Sequence, residues 1–348
     1  MNNLYKSKTY VSDLDVAIHH VVGIEKLKDK KLLITGASGT IGSFVTDVLL
    51  RYNRVNNAGI VVYVAGRCVE NLKMSFKDFG EVTVLPYDLR NAIGFDVCID
   101  YIIHVAGNAH PAAFNKDPVG TIIDNINSTY NLLEYGRYHG TKRLLYVSSA
   151  EVYGQGDINI EEFEESYAGY LDLQSARSCY PSSKRATENL CASYSKQYNF
   201  ETVAVRPCHT YGPHFTLTDN RASVQFIKNA LKGEDIVMNS AGTQMRSYSY
   251  IADCVSALLT VLIKGKNGEV YNIANPNSKI TIFGLAEIIA EVVGSKVIFA
   301  GPNIEDLANQ TPITKQILNS KKIKALGWSG AYSVKKGIEH TLAILQGE

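Results

Sequence analysis

The chain has 348 residues, enough for one large or two medium-sized domains with a substantial hydrophobic core. Apolar residues make up 45% and charged residues 20%, and the formal net charge is +1, so the composition points neither to nucleic acid nor to a membrane as a partner. The six cysteines are scattered without a CxxC pair, and the N-terminus lacks the apolar core of a signal peptide, which together predict a cytoplasmic protein with reduced thiols and no metal site.

Residues 1–30 form a predicted N-terminal extension, with a helix over Asp13–Leu27 that lies on the main body. From Lys31 onward, short apolar segments alternate with longer amphipathic ones. The predicted strands are Lys31–Thr35, Gly59–Ala65, Val82–Leu85, Tyr101–Val105, Arg143–Ser148 and Glu201–Arg206. The predicted helices between them include Thr40–Arg51, Val119–His139 and Ser178–Tyr198.

This alternation predicts an α/β fold, a Rossmann-type doubly wound parallel sheet with helices on both faces. We assign residues 31–206 to this NAD(P)-binding domain, with returning segments near 242–274. Turn formers and shorter elements follow Arg206. Residues 207–241 and 275–348 are therefore predicted to form a smaller C-terminal α/β domain that binds substrate.

A glycine-rich turn, Thr35-Gly-Ala-Ser-Gly-Thr-Ile-Gly42, joins the first strand to the first helix. Glycines at such a turn permit a tight bend, close approach of backbone to a pyrophosphate, and close packing of helix on strand, while the helix N-terminus faces the anion. The position in the first βαβ unit predicts dinucleotide binding. The predicted contacts from this turn are Gly36, Ser38, Gly39, Thr40, Ile41 and Gly42.

The end of the second strand lacks the acidic residue that usually binds the ribose hydroxyls of NAD. Arg67 stands there instead. Its guanidinium could bind a 2′-phosphate, which favours NADP slightly, or stack on the adenine of NAD, so both cofactors stay open. Asp88 and Leu89, after the third strand, are predicted to meet the adenine edge; Asp88 could equally cap a loop.

Tyr180 and Lys184 are four residues apart and share one face of a predicted helix. A fixed cation lowers the pKa of a neighbouring phenol, which then can accept the proton of a sugar hydroxyl as hydride leaves the same carbon. Two other Tyr-x-x-x-Lys matches occur, at Tyr138 and Tyr332, but only Tyr180 follows the strand that should end beside a nicotinamide.

These motifs resemble the extended short-chain dehydrogenase/reductase family of NAD(P)-dependent nucleotide-sugar epimerases, dehydratases and decarboxylases. The resemblance covers about residues 31 to 345 and rests on ordered matches throughout. They are TGASGTIG, His104-Val-Ala-Gly107, Asn125-Ile-Asn-Ser-Thr-Tyr-Asn131, Ser148-Ser-Ala-Glu-Val-Tyr-Gly154, Tyr180-Pro-Ser-Ser-Lys184, Arg206-Pro207 with Tyr211-Gly-Pro213, Arg246-Ser-Tyr-Ser-Tyr-Ile-Ala-Asp253 and Lys324-Ala-Leu-Gly-Trp328.

The resemblance implies roles for individual residues. Ser149, Tyr180 and Lys184 would form the catalytic triad, with Glu151 as a further catalytic carboxylate. The remaining cofactor contacts would come from Val105, Ala106, Gly107, Asn125, Arg206 and Pro207. The substrate would be a nucleotide sugar, with Arg246 on its diphosphate, and its other contacts would be His110, Ser149, Glu151, Arg177, His209 and Arg221. Relatives that dimerise through the two long helices at Val119–His139 and Ser178–Tyr198 make a homodimer the expected assembly.

Three reactions in this family begin with oxidation at C4: epimerisation, 4,6-dehydration and decarboxylation of a uronate. Ser149-Ala150-Glu151 is a hybrid of their signatures, since Ala150 cannot donate a proton to a leaving hydroxyl, whereas Glu151 supplies a carboxylate that a plain epimerase does not need. The segment Arg177-Ser-Cys-Tyr180 resembles the corresponding segment of UDP-glucuronate decarboxylases.

Arg177 could attract the uronate carboxylate or, alternatively, pair with the acidic loop Glu161–Glu165. His209 replaces an asparagine that contacts substrate in many relatives. We therefore expect a UDP-glucuronate decarboxylase-like enzyme, with a 4-epimerase second and a 4,6-dehydratase third. A non-catalytic NAD(P)-binding regulator is the alternative from a different class, disfavoured because Tyr180, Lys184 and the serine are all present.

Overall fold

The computed structural model describes residues 4–77, 79–107, 109, 111–215, 219–301 and 313–348. Its centre is a seven-stranded sheet in which every neighbouring pair is parallel, in the order β10-β6-β5-β4-β1-β2-β3. These strands are β1 (Lys31–Thr35), β2 (Val61–Gly66), β3 (Val82–Pro86), β4 (Tyr101–His104), β5 (Arg143–Val147), β6 (Glu201–Pro207) and β10 (Val270–Ile273).

Alternate residues of each strand enter separate cores on the two faces of the sheet. On β1, Leu32 and Ile34 join one hydrophobic cluster and Leu33 joins the other, and all are fully buried. Because side chains alternate along a strand, this arrangement requires helices on both faces. The predicted doubly wound Rossmann-type sheet is confirmed.

The helices that cover the sheet follow its strands in sequence. They are α2 (Thr40–Asn56), α3 (Val69–Ser75), α4 (Pro111–Lys116), α5 (Pro118–Tyr138), α6 (Cys179–Tyr198) and α8 (Ile251–Lys264). The two long helices α5 and α6 pack against each other. Asp117 caps α5 by accepting a hydrogen bond from the Gly120 amide, and the following proline supplies a fixed φ at the first turn, so the helix begins there.

A second, smaller group of elements lies mostly after β6. Its strands are β7 (His209–Tyr211), β8 (Ile236–Met238), β9 (Met245–Tyr250), β11 (Lys279–Thr281), β12 (Val297–Phe299) and β13 (Lys315–Gln316). Its helices are α7 (Ala222–Leu231), α9 (Ile282–Val293), α10 (Lys321–Lys324) and α11 (Val334–Gln346). Strand β9 pairs with β7, β11 and β13, so it holds together segments from both sides of β10.

The N-terminal helix α1 spans Lys8–His20, earlier than the predicted Asp13–Leu27. It begins where it does because the Ser7 side chain accepts a hydrogen bond from the Tyr10 amide. A short 3₁₀ turn, Ile24–Leu27, follows after Gly23, whose φ is 86°. Helix α1 contacts α2, α8 and α11, and its fully buried Asp13 accepts hydrogen bonds from Tyr250 and Tyr332.

Candidate active site

The glycine turn lies at the carboxyl edge of the sheet, between β1 and α2. Gly36 has φ of +74°, and a Cβ there would stand 2.7 Å from the Ala106 amide nitrogen. A Cβ at Gly42 would overlap the Gly36 carbonyl oxygen. Gly39 occupies the N-cap of α2, and no side chain in the described part of the chain caps the first amides of the helix. The turn therefore fits the pyrophosphate of a dinucleotide, with Ser38, Thr40 and Ile41 on its rim.

The loop after β4 lies directly against this turn. The Val105 amide donates to the Thr35 carbonyl at 3.3 Å, and the Ala106 amide donates to the Thr35 hydroxyl at 3.3 Å. His104, fully buried behind the loop, contacts the Thr35 hydroxyl at 2.7 Å. Burial, with help from the Lys184 charge, lowers the pKa of His104 to about 3, so the imidazole is neutral and serves to join the strands.

One pocket collects most of the residues predicted to contact the adenosine half of the cofactor. Its lining residues are Arg67, Asp88, Leu89, Gly107, Thr121, Asp124 and Asn125. Arg67 is exposed, and in the described part of the chain it has no ion-pair or hydrogen-bond partner. Glu70 points away, paired with Lys73 and 86% exposed. The end of β2 thus presents a free cation and no carboxylate.

Two residues of this pocket, Thr121 and Asp124, were not predicted. Both lie on α5 within about one turn of Asn125. The side-chain Nδ2 of Asn125 donates to the Thr121 carbonyl at 3.0 Å. The helical spacing i, i+3 and i+4 was the signal that could have found them. The Asn125 side chain also donates to the Ser183 hydroxyl at 3.0 Å, which links α5 to α6, the helix that carries Tyr180 and Lys184.

Tyr180 is the second residue of α6 and is buried at the carboxyl edge of β5. Burial and, after it, the negative charge of Glu151 raise the pKa of its phenol to about 12. A hydrogen bond with Ser149 and the charges of Arg221 and Arg177 act in the opposite direction. Four of the residues predicted for catalysis or substrate binding therefore affect the pKa of the Tyr180 phenol.

Lys184 is buried one turn further along α6. Its ammonium donates to the Val147 carbonyl at 2.9 Å and lies 5.7 Å from the centroid of the Tyr180 ring. It also approaches Gly107 of the cofactor pocket, 3.7 Å from where a Cβ of that glycine would lie. The structure thus brings the predicted dyad together between the sheet edge and the cofactor loops.

The expected net lowering of the Tyr180 pKa is not found in this structure, because burial outweighs the charges that favour the phenolate. Arg221 and Arg177 lead those charges. Burial also lowers the pKa of Lys184 itself to about 8. The sequence shows the four-residue spacing, but it does not show how deeply both groups are removed from water.

Ser149 and Glu151 lie on the turn after β5. Ser149 caps a short 3₁₀ helix, Ala150–Tyr153, by accepting a hydrogen bond from the Glu151 amide at 3.2 Å. The Glu151 carboxylate accepts from Arg177 at 2.8 Å. Arg177 was predicted to attract a substrate carboxylate or to pair with the loop Glu161–Glu165. Its pair with Glu151 was not predicted. In that loop, Glu162 instead accepts from Lys279 and Asn319.

Arg206 was predicted to contact the cofactor, and in the structure its guanidinium is held by protein groups. Its guanidinium forms a bidentate pair with Glu188, with a shortest distance of 2.7 Å, and also donates to the Tyr153 hydroxyl and the Glu165 carbonyl. Arg206 is buried, so these partners occupy its donors. It braces β6 against α6 and the loop before it, while the adjacent Pro207 ends β6 in the sheet.

The predicted substrate residues after β6 come together around His209. Its ring lies 5.1 Å from the Tyr248 ring with an angle of 49° between the planes, and its buried Nδ1 has no hydrogen-bond partner among the described residues. Burial, followed by the charges of Arg246 and Arg221, lowers the pKa of His209 to about 3, so it faces the site as a neutral imidazole. His110, predicted to contact substrate, lies outside the described residues.

The two arginines of this cluster are held differently. Arg221 pairs with the buried Asp219 at 2.6 Å. Arg246 is almost fully buried and donates to the backbone carbonyls of Met245 and Ile313, with no ion pair among the described residues. Its charge remains uncompensated there, and burial lowers its pKa. An anionic group of a ligand would supply the missing charge.

Phe114 is a site residue that the sequence did not reveal. It is fully buried on α4, and its ring lies 5.2 Å from that of Tyr180 with an angle of 11° between the planes. No motif marks it, since it stands in a helix of six residues after the Val-Ala-Gly loop.

Among the residues that the structure describes, no group of three histidine, cysteine or carboxylate side chains is placed to hold a metal ion, and no helix is long and apolar enough to cross a membrane.

Residues 32–274 match the model of the NAD dependent epimerase/dehydratase family. A UDP-glucuronic acid decarboxylase of Arabidopsis thaliana is 32% identical over 312 residues, which cover 88% of this chain and 86% of that relative. The fold is shared with UDP-glucose 4-epimerase of Thermotoga maritima, with a TM-score of 0.74 at 23% identity over 90% of this chain and 97% of the other. It is also shared with UDP-glucuronic acid 4-epimerase of Bacillus cereus, solved with UDP-glucuronic acid and NAD, with a TM-score of 0.75 at 23% identity over 90% and 98% of the two chains.

Proposed function

This chain belongs to the NAD-dependent epimerase/dehydratase family, and on that premise we propose that it oxidises UDP-glucuronate at C4 and then removes the C6 carboxylate as CO2. The observation that carries the proposal is the ion pair of Glu151 with Arg177 beside the Tyr180 phenol. The pair brings no net charge to the sugar pocket, so a uronate is not repelled by an uncompensated Glu151. The decarboxylase relatives support the same substrate class.

In the first step Tyr180 accepts the proton of the C4 hydroxyl, while Ser149 orients that hydroxyl. The glycine turn and the pocket around Arg67 and Asn125 fit an NAD molecule, which supplies hydride acceptance when bound. Lys184, anchored on the Val147 carbonyl, keeps a positive charge between the phenol and the cofactor pocket at neutral pH. C4 becomes a ketone, and Tyr180 holds the proton.

The C4 ketone places a carbonyl β to the C6 carboxylate. The C5–C6 bond can then break with loss of CO2, because its electron pair passes into an enolate over C5, C4 and O4. Tyr180, now protonated, donates a hydrogen bond to O4 and stabilises this charge. C5 takes up a proton from water, C4 takes back the hydride that it gave up in the first step, and Tyr180 returns its proton to O4. The net change is loss of CO2 and gain of one proton.

Two features weigh against dehydration and favour an anionic substrate. Ala150, at the position where a dehydratase needs a proton donor, is buried and has no donor. Arg221 and Arg246, near His209, support a diphosphate site, since Arg246 has no ion-pair partner among the described residues. We assign the substrate's diphosphate to this cluster and its sugar to the space beside Tyr180.

We also propose a homodimer formed through α5 and α6. Apolar and aromatic side chains on these helices are exposed to solvent in the single chain. They are Val119, Ile123, Tyr130, Tyr138 and Tyr198. Burying such a patch would stabilise an assembly. A Val119→Arg variant should sediment as a monomer if this face is the interface.

The six cysteines, all free, support a cytoplasmic location.

UDP-glucuronate labelled with ¹³C at C6 tests the reaction. The purified enzyme should release labelled CO2 and leave a UDP-pentose, both measured by mass spectrometry. The Tyr180→Phe variant should produce neither while still binding NAD. An epimerised UDP-hexuronate with the label retained would refute decarboxylation and establish the 4-epimerase instead.

A further inference from the structure

Tyr180 belongs to a layered cluster that joins three elements. The ring of Phe114 on α4 lies nearly parallel to the Tyr180 ring, at 5.2 Å and 11°. The guanidinium carbon of Arg177, in the turn before α6, lies 4.8 Å from the centroid of the same Phe114 ring. The Cys179 thiol donates to the Phe114 carbonyl at 3.7 Å, which ties α4 to the start of α6. The phenylalanine therefore contacts both the base and the cation.

Arg177 also reaches the carboxylate of the site. Its Nη2 donates to Glu151 at 2.8 Å, and the Arg177 and Glu151 side chains are only 18% and 21% exposed. The second carboxylate oxygen of Glu151 and the Nε of Arg177 are buried and have no hydrogen-bond partner in the described part of the chain. One cation thus contacts Glu151 through a hydrogen bond and the Phe114 ring through its face.

We propose that Arg177 and Phe114 are positioning residues for the reaction: Arg177 fixes the Glu151 carboxylate and clamps Phe114, and Phe114 fixes the plane of the Tyr180 ring. This inference rests on the proposed function for the role of Tyr180. A ring held flat against another cannot rotate out of its plane, so the phenol oxygen keeps one direction. The carboxylate and the phenol are then aligned by a single guanidinium, although 26 residues separate Glu151 from Arg177 in the chain.

The arrangement predicts different effects for the loss of Arg177 and the loss of Phe114, which packing alone would not produce. Removing Arg177 removes a positive charge that favours the Tyr180 phenolate. Removing Phe114 leaves that charge in the protein but frees the ring. The two substitutions should therefore impair the same step in different ways, one through charge and alignment, the other through alignment alone.

The experiment uses Arg177→Met, Phe114→Leu and the double variant of the full chain. Arg54→Met is the matched control, because Arg54 also pairs with a glutamate, Glu81 at 2.8 Å, and lies 4.7 Å from a phenylalanine ring, Phe79, away from the site. Reduction of bound NAD is followed at single turnover with UDP-glucuronate and, in parallel, with UDP-glucose. The pH profile is recorded for each variant.

We expect Phe114→Leu to slow C4 oxidation about tenfold to a hundredfold with the substrate dissociation constant unchanged. Arg177→Met should slow it as much and also move the acidic limb of the rate profile to higher pH, by roughly one unit. The double variant should be no slower than the slower single variant, since both act through one stack. Arg54→Met should match the wild type.

Additive losses in the double variant, or an acidic limb unmoved in Arg177→Met, would overturn the proposal. A second measurement needs no substrate. In protein labelled with ¹³C at the tyrosine ring, the Tyr180 resonance, assigned by its absence in Tyr180→Phe, should shift in Phe114→Leu and stay in place in Arg54→Met. An unshifted resonance contradicts the stack. If the wild type oxidises UDP-glucose but releases no CO2 from UDP-glucuronate, the proposed function fails while the stack remains measurable.

Discussion

Arg177 lies directly before the helix that carries Tyr180, and its guanidinium donates a hydrogen bond to the Glu151 carboxylate at 2.8 Å. The two charges oppose each other at the phenol, since Glu151 raises the pKa of Tyr180 and Arg177 lowers it. The pH dependence of the reaction therefore depends on the balance of these two charges at Tyr180.

Glu151→Gln should move the acidic limb of kcat/KM to lower pH. Tyr180 acts as a base and works when deprotonated, so activity rises as the pH passes through its pKa. Removing the carboxylate charge lowers that pKa and brings the rise to lower pH. The limb is measured by NAD reduction across the neutral and alkaline range, because burial raises the pKa of Tyr180. A limb that stays in place, or moves upward, would mean that Glu151 does not act on the phenol, whatever happens to the maximal rate.

Arg206→Met should destabilise the fold and leave NAD binding intact. Breaking the buried pair with Glu188 leaves an uncompensated carboxylate, which costs about 3–5 kcal/mol. The free energy of unfolding is measured in urea and the dissociation constant of NAD by calorimetry. The more exposed pair of Arg54 with Glu81 serves as the reference, with an expected loss of at most about 1 kcal/mol for Arg54→Met. Weaker NAD binding at unchanged stability would instead support the predicted contact of Arg206 with the cofactor.

Arg67→Ala should weaken the binding of NADP more than that of NAD. The Arg67 guanidinium is exposed on the adenosine pocket without a partner among the described residues, so it can meet a 2′-phosphate. Charge-assisted hydrogen bonds of this kind contribute about 1.5–3 kcal/mol. Titration of the purified variant with each dinucleotide gives the two losses. Equal losses for both would indicate that Arg67 stacks on the adenine instead.

The sheet and the cofactor turn were predictable because their signals are local. Apolar strands such as Lys31–Thr35 and a glycine turn leading into a helix specify a βαβ unit within a few residues. The helix Asp13–Leu27 was misplaced because Ser7, outside the periodic segment, supplies the N-cap. Strand β9 escaped prediction because its polar residues are buried by distant segments.

The motifs locate candidate site residues but do not give the contacts of those residues. Tyr180, Lys184, Ser149 and Glu151 follow from motif positions, and the structure brings them to one sheet edge. The function of Arg206 as a brace depends on Glu188, which no motif marks. The pKa of Tyr180 depends on burial by atoms from many segments, a quantity that sequence spacing does not contain.

The most direct test of the central claim is the fate of deuterium at C4 of the sugar. With UDP-[4-²H]glucuronate, a Tyr180-dependent oxidation at C4 predicts a primary isotope effect on the formation of reduced cofactor, and a UDP-pentose that keeps its deuterium at C4 because the same cofactor gives it back. The Tyr180→Phe variant should show neither. A pentose formed at the same rate from labelled and unlabelled substrate, with no reduced cofactor detected, would contradict the account.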